Sequence, residues 1–316
     1  MAIDFRGKVA IITGAGHGLG KSYALFLASR GAKVVANDLG TSESGNSSSE
    51  GPAQNVVELI VRNGGKAVAN FDSVADPDGS LRIVDDALKH FGTVDILINN
   101  AGILRDKTFI KMDHQDFEVV LKVHLLGAFY TTHAAFPVMQ GKKYGRIVLT
   151  SSIAGLYGNF GQTNYGTAKM ALVGFMNSLK LEGMKFNILV NTVAPLAVTR
   201  LARVSGVFPD EIAGVLKTEH VTPLVAYLCS EACQSSGNIL CAGGGYFARV
   251  QVMEGAGVRF NPEEEITPEA IADRYASILD MSGAVSYRDT KEELRVALGP
   301  LFCRGSYERG EADGSL

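Results

Sequence analysis

Short apolar runs rich in β-branched residues alternate along this chain with segments of helical pattern. An apolar run without polar alternation has both faces buried, as in a parallel sheet that helices cover on each side. The alternation therefore predicts an α/β fold built on a doubly wound parallel sheet. The runs that we expect to form strands are residues 9–13, 33–38, 66–71, 94–100, 146–152 and 187–195.

Two segments interrupt this alternation. Residues 40–52 are rich in Gly and Ser, which predicts a mobile loop after the second strand. Beyond residue 260, Thr267 followed by Pro268 is typical of a helix start. We expect a core over residues 1–258 and a helical C-terminal extension over residues 259–316, packed on the core or on a partner subunit.

Composition excludes several classes of function. A hydrophobic share of 46%, a charged share of 20% and a net charge of −3 are typical of a soluble globular protein and do not favour nucleic acid as a partner. We find no secretory signal and no apolar run of the roughly 18 residues that a membrane span needs. We expect a cytoplasmic protein, because the final residues Gly314, Ser315 and Leu316 lack the lysine of a peroxisomal signal.

The four cysteines lie in the last third of the chain, at Cys229, Cys233, Cys241 and Cys303. Cys229 and Cys233 are one helical turn apart and could share a metal, but the nearest upstream imidazole is His220, so the ligand pattern is poor. Small buried thiols in a reducing compartment are the simpler interpretation. We predict no metal site.

A glycine-rich turn, TGAGHGLG, directly follows the first predicted strand and precedes a helical run. Glycines let a pyrophosphate approach the backbone, and the start of a helix presents free N–H groups to its charge. This context is that of the dinucleotide fingerprint of Rossmann-type folds. We expect Gly14, His17, Gly18, Leu19 and Gly20 to bind the cofactor.

Asp38 ends the second predicted strand, 18 residues beyond Gly20. A carboxylate at this place accepts hydrogen bonds from the adenosine ribose and repels the 2′-phosphate of NADP. The neighbouring Asn37 and Leu39 add no positive charge. We therefore predict NAD as the cofactor rather than NADP.

Tyr165 precedes Lys169 by four residues, but Tyr287 and Lys291 share this spacing in the polar tail. Only the first pair has a hydroxyl partner at the end of a predicted strand, Ser152, thirteen residues before Tyr165. We interpret Tyr165 as a general acid/base and Lys169 as the charge that lowers the pKa of its phenol. Ser152 would orient the substrate oxygen.

These features together resemble the short-chain dehydrogenase/reductase family over roughly residues 4–245, including an NNAG segment at residues 99–102. The resemblance implies an enzyme whose core carries both the NAD site and the catalytic site. Leu196 stands where the family usually has glycine after the sixth strand. The further cofactor contacts that the resemblance implies are Asp72, Ser73, Val74, Asn100, Tyr165, Lys169, Ala197 and Thr199.

Longer segments such as GAGHGLGKSYAL and YGRIVLTSSIAGLYGNFGQTNY resemble the (3R)-hydroxyacyl-CoA dehydrogenase units of peroxisomal multifunctional enzymes of type 2, also called 17β-hydroxysteroid dehydrogenases type 4, and their stand-alone bacterial homologues. This likeness implies NAD-dependent oxidation of 3-hydroxyacyl-CoA, including steroid side-chain thioesters, or of 17β-hydroxysteroids. Arg200, Arg203 and Lys217 could bind CoA phosphates or be solvated.

His124 stands where most of the family has an asparagine; it either takes part in catalysis or is a buried, satisfied histidine. A 3-oxoacyl-carrier-protein reductase is an alternative, because NNAGILRD resembles that branch too, but Asp38 and His124 argue against it. A non-catalytic binding module is a second alternative, against which the intact Ser152, Tyr165 and Lys169 argue. The family implies a homodimer or homotetramer formed through helices near residues 113–139 and 163–183.

Overall fold

The computed structural model describes residues 3–46, 51–201, 211 and 214–299. Within these residues, eight strands form one sheet in the order β3-β2-β1-β4-β5-β6-β7-β8. Neighbouring strands run parallel except β8, which is antiparallel to β7. The strands are β1 (Val9–Thr13), β2 (Lys33–Asn37), β3 (Lys66–Asn70), β4 (Ile96–Asn99), β5 (Gly145–Thr150), β6 (Ile188–Pro195), β7 (Ile239–Gly243) and β8 (Tyr246–Val250).

Helices connect the parallel strands and cover both faces of the sheet. In the described part of the chain they are α1 (Gly18–Ser29), α2 (Gly51–Arg62), α3 (Pro77–Phe91), α4 (His114–Leu121), α5 (Gly127–Lys142), α6 (Ile153–Tyr157), α7 (Thr163–Gly183), α8 (Thr222–Cys229), α9 (Pro268–Ile278) and α10 (Thr290–Leu298). A π-helical turn, Lys122–Leu126, joins α4 to α5. The predicted Rossmann-type fold is confirmed.

The apolar runs form strands because both of their faces are buried. On β1, Ala10 and Ile12 belong to one buried cluster, whereas Val9 and Ile11 belong to the cluster on the opposite face. All four side chains are fully buried. Burial of apolar surface stabilises the folded state by about 25 cal/mol for each Å². Strands that are buried on both faces therefore contribute strongly to the stability of the fold. The carboxyl ends of the strands then share one edge of the sheet.

Strand β2 leads into a loop, as expected, but the loop is shorter than predicted. Helix α2 begins at Gly51, so Gly51 and Pro52 are helical, and residues 47–50 lie outside the described part. Proline is compatible with the first turn of a helix because the N–H groups there have no intrahelical partner. The described residues 41–46 form contacts to two other loops, which are detailed below.

The chain divides into two compact units, Met1–Val250 and Gln251–Leu316. The second unit contains α9, whose predicted start is confirmed, because the Thr267 Oγ1 accepts a hydrogen bond from the Ala270 N–H at 3.2 Å. Its described residues also include α10 and a bridge between Glu254 and Val285. The functional division at residues 258 and 259 stays a prediction.

Among the described residues, the helical stretch His114–Lys142 is long and apolar enough to cross a membrane by length and composition alone. Its side chains Val120, Ala135 and Met139 are fully buried in the protein, and α5 packs against α3. Membership of the core thus accounts for the apolar character of these buried positions.

Candidate active site

A cavity of about 480 Å³ lies where the chain leaves the carboxyl ends of the parallel strands. Doubly wound sheets bind their ligands at this edge. Of the residues predicted to bind the dinucleotide or to take part in catalysis, all of which are described, only Gly20 is absent from the cavity wall. Those that line it are Gly14, His17, Gly18, Leu19, Asp38, Asp72, Ser73, Val74, Asn100, His124, Ser152, Tyr165, Lys169, Ala197 and Thr199.

The glycine turn is shaped by close approaches that a side chain would block. Gly14 has a φ of +64°, and a Cβ there would lie 2.8 Å from the Cα of Ala101. A Cβ on Gly20 would lie 2.1 Å from the carbonyl oxygen of Gly14. Gly20 therefore lets α1 pack against the turn, which explains why it does not face the cavity.

Asp38 holds the glycine turn in place. Its Oδ2 accepts a hydrogen bond from the Gly16 N–H at 2.7 Å, and its Oδ1 accepts one from the Gly40 N–H at 2.7 Å. Each carboxylate oxygen has a second lone pair, so Asp38 can still accept hydrogen bonds from a ligand in the cavity. The bond to Gly16 could not be foreseen from the spacing of the two residues.

A buried amide network fixes Asp72. Asn37 and Asn70 end two neighbouring strands in register, and their side chains share a 2.8 Å hydrogen bond. Asn70 Nδ2 donates to Asp72 Oδ2 at 2.9 Å, and Arg82 Nε donates to Asp72 Oδ1 at 2.7 Å. This network was not predicted from the sequence, although each of the two strands ends in an asparagine.

Ser152, Tyr165 and Lys169 converge on one wall of the cavity. Ser152 precedes α6, and its Oγ accepts a hydrogen bond from the Ala154 N–H at 3.2 Å. Tyr165 and Lys169 lie on the first turns of α7, with the Lys169 Nζ 5.5 Å from the centre of the Tyr165 ring. The Nζ also donates to the carbonyl oxygen of Thr150 at 2.6 Å, which holds the ammonium group beside the phenol.

Burial disfavours the charged forms of both groups. Desolvation raises the pKa of Tyr165 to about 12, although a hydrogen bond with Ser152 lowers it. Desolvation also lowers the pKa of Lys169 to about 7. The ionised pair Tyr165⁻ and Lys169⁺ therefore needs mutual stabilisation and a further positive charge nearby. That Lys169 lowers the pKa of the phenol stays a prediction.

His124 lies in the π-helical turn Lys122–Leu126, and only 3% of its surface is exposed. Its Nε2 lies 3.1 Å from the Ile103 nitrogen and 2.8 Å from the Ile103 oxygen, and its ring meets the Tyr165 ring edge-on at 5.2 Å. Among the described residues, the Nδ1 atom has no hydrogen-bond partner. Burial and then the charge of Lys169 hold the pKa of His124 well below its ordinary range, so the ring is neutral at neutral pH.

The charge of Asp106, a residue that the sequence did not single out, acts on Tyr165. Asp106 accepts a 2.7 Å hydrogen bond from Gln162, which is itself 4% exposed and lines the cavity. Burial raises the pKa of Asp106, and its charge opposes ionisation of Tyr165. Nothing in the local sequence separates Asp106 from a solvated aspartate, because its partner Gln162 lies 56 residues further along the chain.

The three basic residues that could bind the phosphates of CoA have different surroundings. Arg200 lies at the cavity wall, where its Nε pairs with Glu43 Oε1 at 2.7 Å and its Nη2 donates to the Thr41 carbonyl oxygen at 3.1 Å. Lys217 is exposed and does not line the cavity. Arg203 lies outside the described residues. A role of these three in CoA binding stays a prediction.

Three of the four cysteines, Cys229, Cys233 and Cys241, are buried free thiols, and Cys303 lies outside the described part. Within that part, no three His, Cys, Asp or Glu side chains come close enough together to hold a metal ion. Burial raises the pKa of Cys241, so this thiol stays protonated at neutral pH.

Known proteins resemble this chain over most of its length. Peroxisomal multifunctional enzyme A of Dictyostelium discoideum is 50% identical over 278 residues, which cover 88% of this chain and 61% of that protein. The putative short-chain type dehydrogenase/reductase Rv0148 of Mycobacterium tuberculosis is 46% identical over 277 residues, 88% of this chain and 96% of that protein. This chain thus spans about three fifths of the Dictyostelium enzyme.

A solved structure shares the fold. The full-length peroxisomal multifunctional enzyme type 2 from Drosophila melanogaster matches with a TM-score of 0.79 and 37% identity, over 94% of this chain and 49% of that one. The family model described as short chain dehydrogenase matches residues 8–205. The chain therefore belongs to the short-chain dehydrogenase/reductase family.

Proposed function

We propose that this chain is an NAD-dependent dehydrogenase that oxidises a secondary alcohol to a ketone, reversibly. The preferred substrates are 3-hydroxyacyl-CoA thioesters, including those of steroid side chains, with 17β-hydroxysteroids as further substrates. The convergence of Ser152, Tyr165 and Lys169 on the cavity that the glycine turn and Asp38 also line carries this proposal.

The residues around the glycine turn fit a dinucleotide. The close approaches at Gly14 and Gly20 leave room for a backbone cradle without side chains, and α1 begins at Gly18 with its first N–H groups free of intrahelical partners. Asp38 and Asp72, held by the contacts described above, would bind the ribose and the adenine. When bound, the nicotinamide accepts the hydride and brings a positive charge to the site.

The side chains of the site would handle the proton. In the oxidation, the Tyr165 phenolate takes the proton from the substrate hydroxyl, and Ser152 donates a hydrogen bond to the same oxygen. Lys169, anchored on the Thr150 carbonyl oxygen, stabilises the phenolate electrostatically. We assign His124 a supporting role, because its ring packs edge-on against Tyr165.

The choice of NAD over NADP depends on the charge of Asp38. In the Asp38→Asn variant, the loss of a charge-assisted hydrogen bond worth about 1.5–3 kcal/mol should lower kcat/KM for NAD about ten- to hundredfold. The value for NADP should rise, because the repulsion of the 2′-phosphate is gone. Steady-state kinetics with both cofactors measure the two changes.

Asp85→Asn is the matched control, since Asp85 is an exposed aspartate on α3 and the substitution makes the same change in charge. It should leave both values unchanged. A wild-type protein that uses NADP more efficiently than NAD would contradict the assignment of Asp38.

The lining of the cavity suits an apolar substrate. Several apolar side chains from segments that follow β4 and β5 line it: Ile103, Leu104, Val119, Ile153 and Tyr157. A fatty-acyl or steroid moiety would bury apolar surface here, and burial of each CH₂ group contributes about 0.8 kcal/mol. Two of the three proteins compared above are peroxisomal multifunctional enzymes, and this likeness supports an acyl-CoA substrate.

Four substrates assayed side by side test the substrate class: a straight-chain (3R)-3-hydroxyacyl-CoA, a steroid-side-chain hydroxyacyl-CoA, estradiol and testosterone. We expect NADH formation from both thioesters, with kcat/KM at least about tenfold above the free steroids, because the CoA moiety adds binding energy. Faster NADPH-dependent reduction of a 3-oxoacyl-carrier-protein would instead support the reductase alternative. No turnover of any alcohol or ketone would support a non-catalytic module.

We propose a homodimer or homotetramer formed through α4, α5 and α7. Phe129 on α5 and Met170 on α7 are each more than two-fifths exposed, at 43% and 41%. Phe129 packs edge-on against Phe175 of α7 at 6.3 Å, which makes one apolar surface of the two helices. A second copy of the chain would bury it.

A further inference from the structure

The loop after β2 and the segment after β6 meet at the cavity, although the two strands are far apart in the sheet. Glu43 follows β2, Arg200 follows β6, and three strands, β1, β4 and β5, lie between β2 and β6 in the sheet. Neighbouring strands lie about 4.8 Å apart, so the two strand ends are about 19 Å apart. The 2.7 Å ion pair between Glu43 and Arg200 therefore spans the edge of the sheet at which the cavity lies.

The same loop is anchored at its middle by residues that follow β4. The Leu104 N–H donates to the Glu43 carbonyl oxygen at 2.9 Å. Arg105 donates from Nε to the Ser44 carbonyl oxygen at 3.0 Å and from Nη2 to Asn46 Oδ1 at 2.8 Å. We call residues 41–46, with these anchors, the strap.

Arg105 is itself fixed, which makes this anchor firm. Its Nη1 pairs with Asp116 of α4 at 3.2 Å, and its side chain is 19% exposed. The Glu43–Arg200 pair is more accessible, with side chains 29% and 42% exposed. The strap thus has one partly buried anchor, at Arg105, and a more accessible one, at the Glu43–Arg200 pair.

The strap forms part of the wall of the cavity. Thr41, Ser42, Gly45 and Arg200 line the same 480 Å³ cavity as the glycine turn. Arg200 also lies close enough to His17, beside the start of α1, for its charge to lower the pKa of that imidazole after burial does so. A pyrophosphate at the start of α1 would therefore lie next to the accessible end of the strap.

We propose, on the basis of the dinucleotide site proposed above, that the strap retains the bound dinucleotide and that the Glu43–Arg200 ion pair is its latch. Release of the dinucleotide requires the latch to open, whereas the Arg105 anchor stays in place. The latch acts on the rate of release and leaves the chemistry at Tyr165 unchanged.

Stopped-flow displacement of NADH by excess NAD measures this rate, with the fluorescence of NADH itself as the signal, since the chain contains no Trp. An exposed ion pair is worth up to about 1 kcal/mol, so Glu43→Gln should speed NADH release about two- to fivefold. Release from the wild type should also accelerate with salt, which screens the pair, and release from the variant should not.

Two further variants separate a latch from a general loss of structure. Glu58→Gln makes the same charge change at an exposed position of α2 and should release NADH at the wild-type rate. Asn46→Ala removes one contact of the Arg105 anchor but leaves the latch intact, so the rate of release and its dependence on salt should both stay as in the wild type.

Equal release rates for wild type and Glu43→Gln at low salt would overturn the latch. The same conclusion would follow if Glu58→Gln and Glu43→Gln accelerated release equally. Failure of the wild type to bind NADH at all is a different result, because it would overturn the dinucleotide site and the latch with it.

Discussion

Replacing Tyr165 with phenylalanine is expected to lower kcat for alcohol oxidation by about 10²–10⁴, the usual contribution of a general acid/base. The substitution removes only the phenolic hydroxyl, so the ring still packs edge-on against His124 and the fold is retained. NADH binding should change little, because the glycine turn and Asp38 are untouched. Steady-state kinetics combined with NADH titration measure both effects.

The chain provides its own control for this substitution. Tyr287 precedes Lys291 by the same spacing, so Tyr287→Phe makes an identical chemical change in another Tyr-x-x-x-Lys pair. It should leave kcat unchanged. A Tyr165→Phe variant that keeps half of the wild-type activity would contradict the assignment.

The pH dependence of oxidation has a definite direction. Burial raises the pKa of Tyr165 to about 12, and oxidation needs the phenolate. The rate of oxidation should therefore rise with pH throughout the range below the pKa of Tyr165 in the complex, whereas reduction, which uses the phenol, should not. The positive nicotinamide and Lys169 would move this rise to lower pH.

Replacing Lys169 with methionine should abolish most activity and yet stabilise the fold. Loss of the charge beside the phenolate should lower kcat about 10²–10³-fold, as for the loss of one preorganised donor. Burial lowers the pKa of Lys169 from 10.5 to about 7, which corresponds to several kcal/mol of destabilisation at about 1.4 kcal/mol per pKa unit. The unpartnered Thr150 carbonyl oxygen would offset about 1–3 kcal/mol of the gain.

The sign of the pH effect follows from proton binding. Between pH 7 and about 10.4, the unfolded lysine holds a proton that the folded Lys169 has released. Stability of the wild type should therefore rise with pH across this window. The advantage of the Lys169→Met variant should be largest at or below pH 7 and should shrink toward pH 10.

Urea unfolding at several pH values measures this difference. Lys89→Met, at an exposed position of α3, is the matched control and should show no such dependence on pH. An unchanged or lower free energy of unfolding for Lys169→Met at pH 6 would contradict the buried-charge account.

The strands of the sheet could be predicted because their pattern is local. Val9, Ala10, Ile11 and Ile12 are all apolar, and such a run fits only a strand with both faces covered. Strands β7 and β8 were not predicted, because β7 has only two large apolar residues, Ile239 and Leu240, and ends in glycine, and because the side chains of β8 are largely exposed. Their identity as strands comes from their pairing with each other and with β6.

The place of Ser152, Tyr165, Lys169 and Asp38 at the cavity could be predicted from residue type and position, and their roles stay predictions. What the sequence did not show depends on contacts between distant segments. Arg105 and the Ser44 carbonyl oxygen that it binds are 61 residues apart. The contacts of the strap could therefore not be predicted from its Gly- and Ser-rich composition. The π-helical turn around His124 likewise has no local sequence signal.

Absorbance at the nicotinamide band after mixing the protein with NAD and a (3R)-3-hydroxyacyl-CoA tests the central claim most directly. We predict NADH formation that depends on Tyr165 and that is slower when NADP replaces NAD. No NADH formation with this thioester or with 17β-hydroxysteroids, under conditions in which NADH binds, would contradict the proposed function.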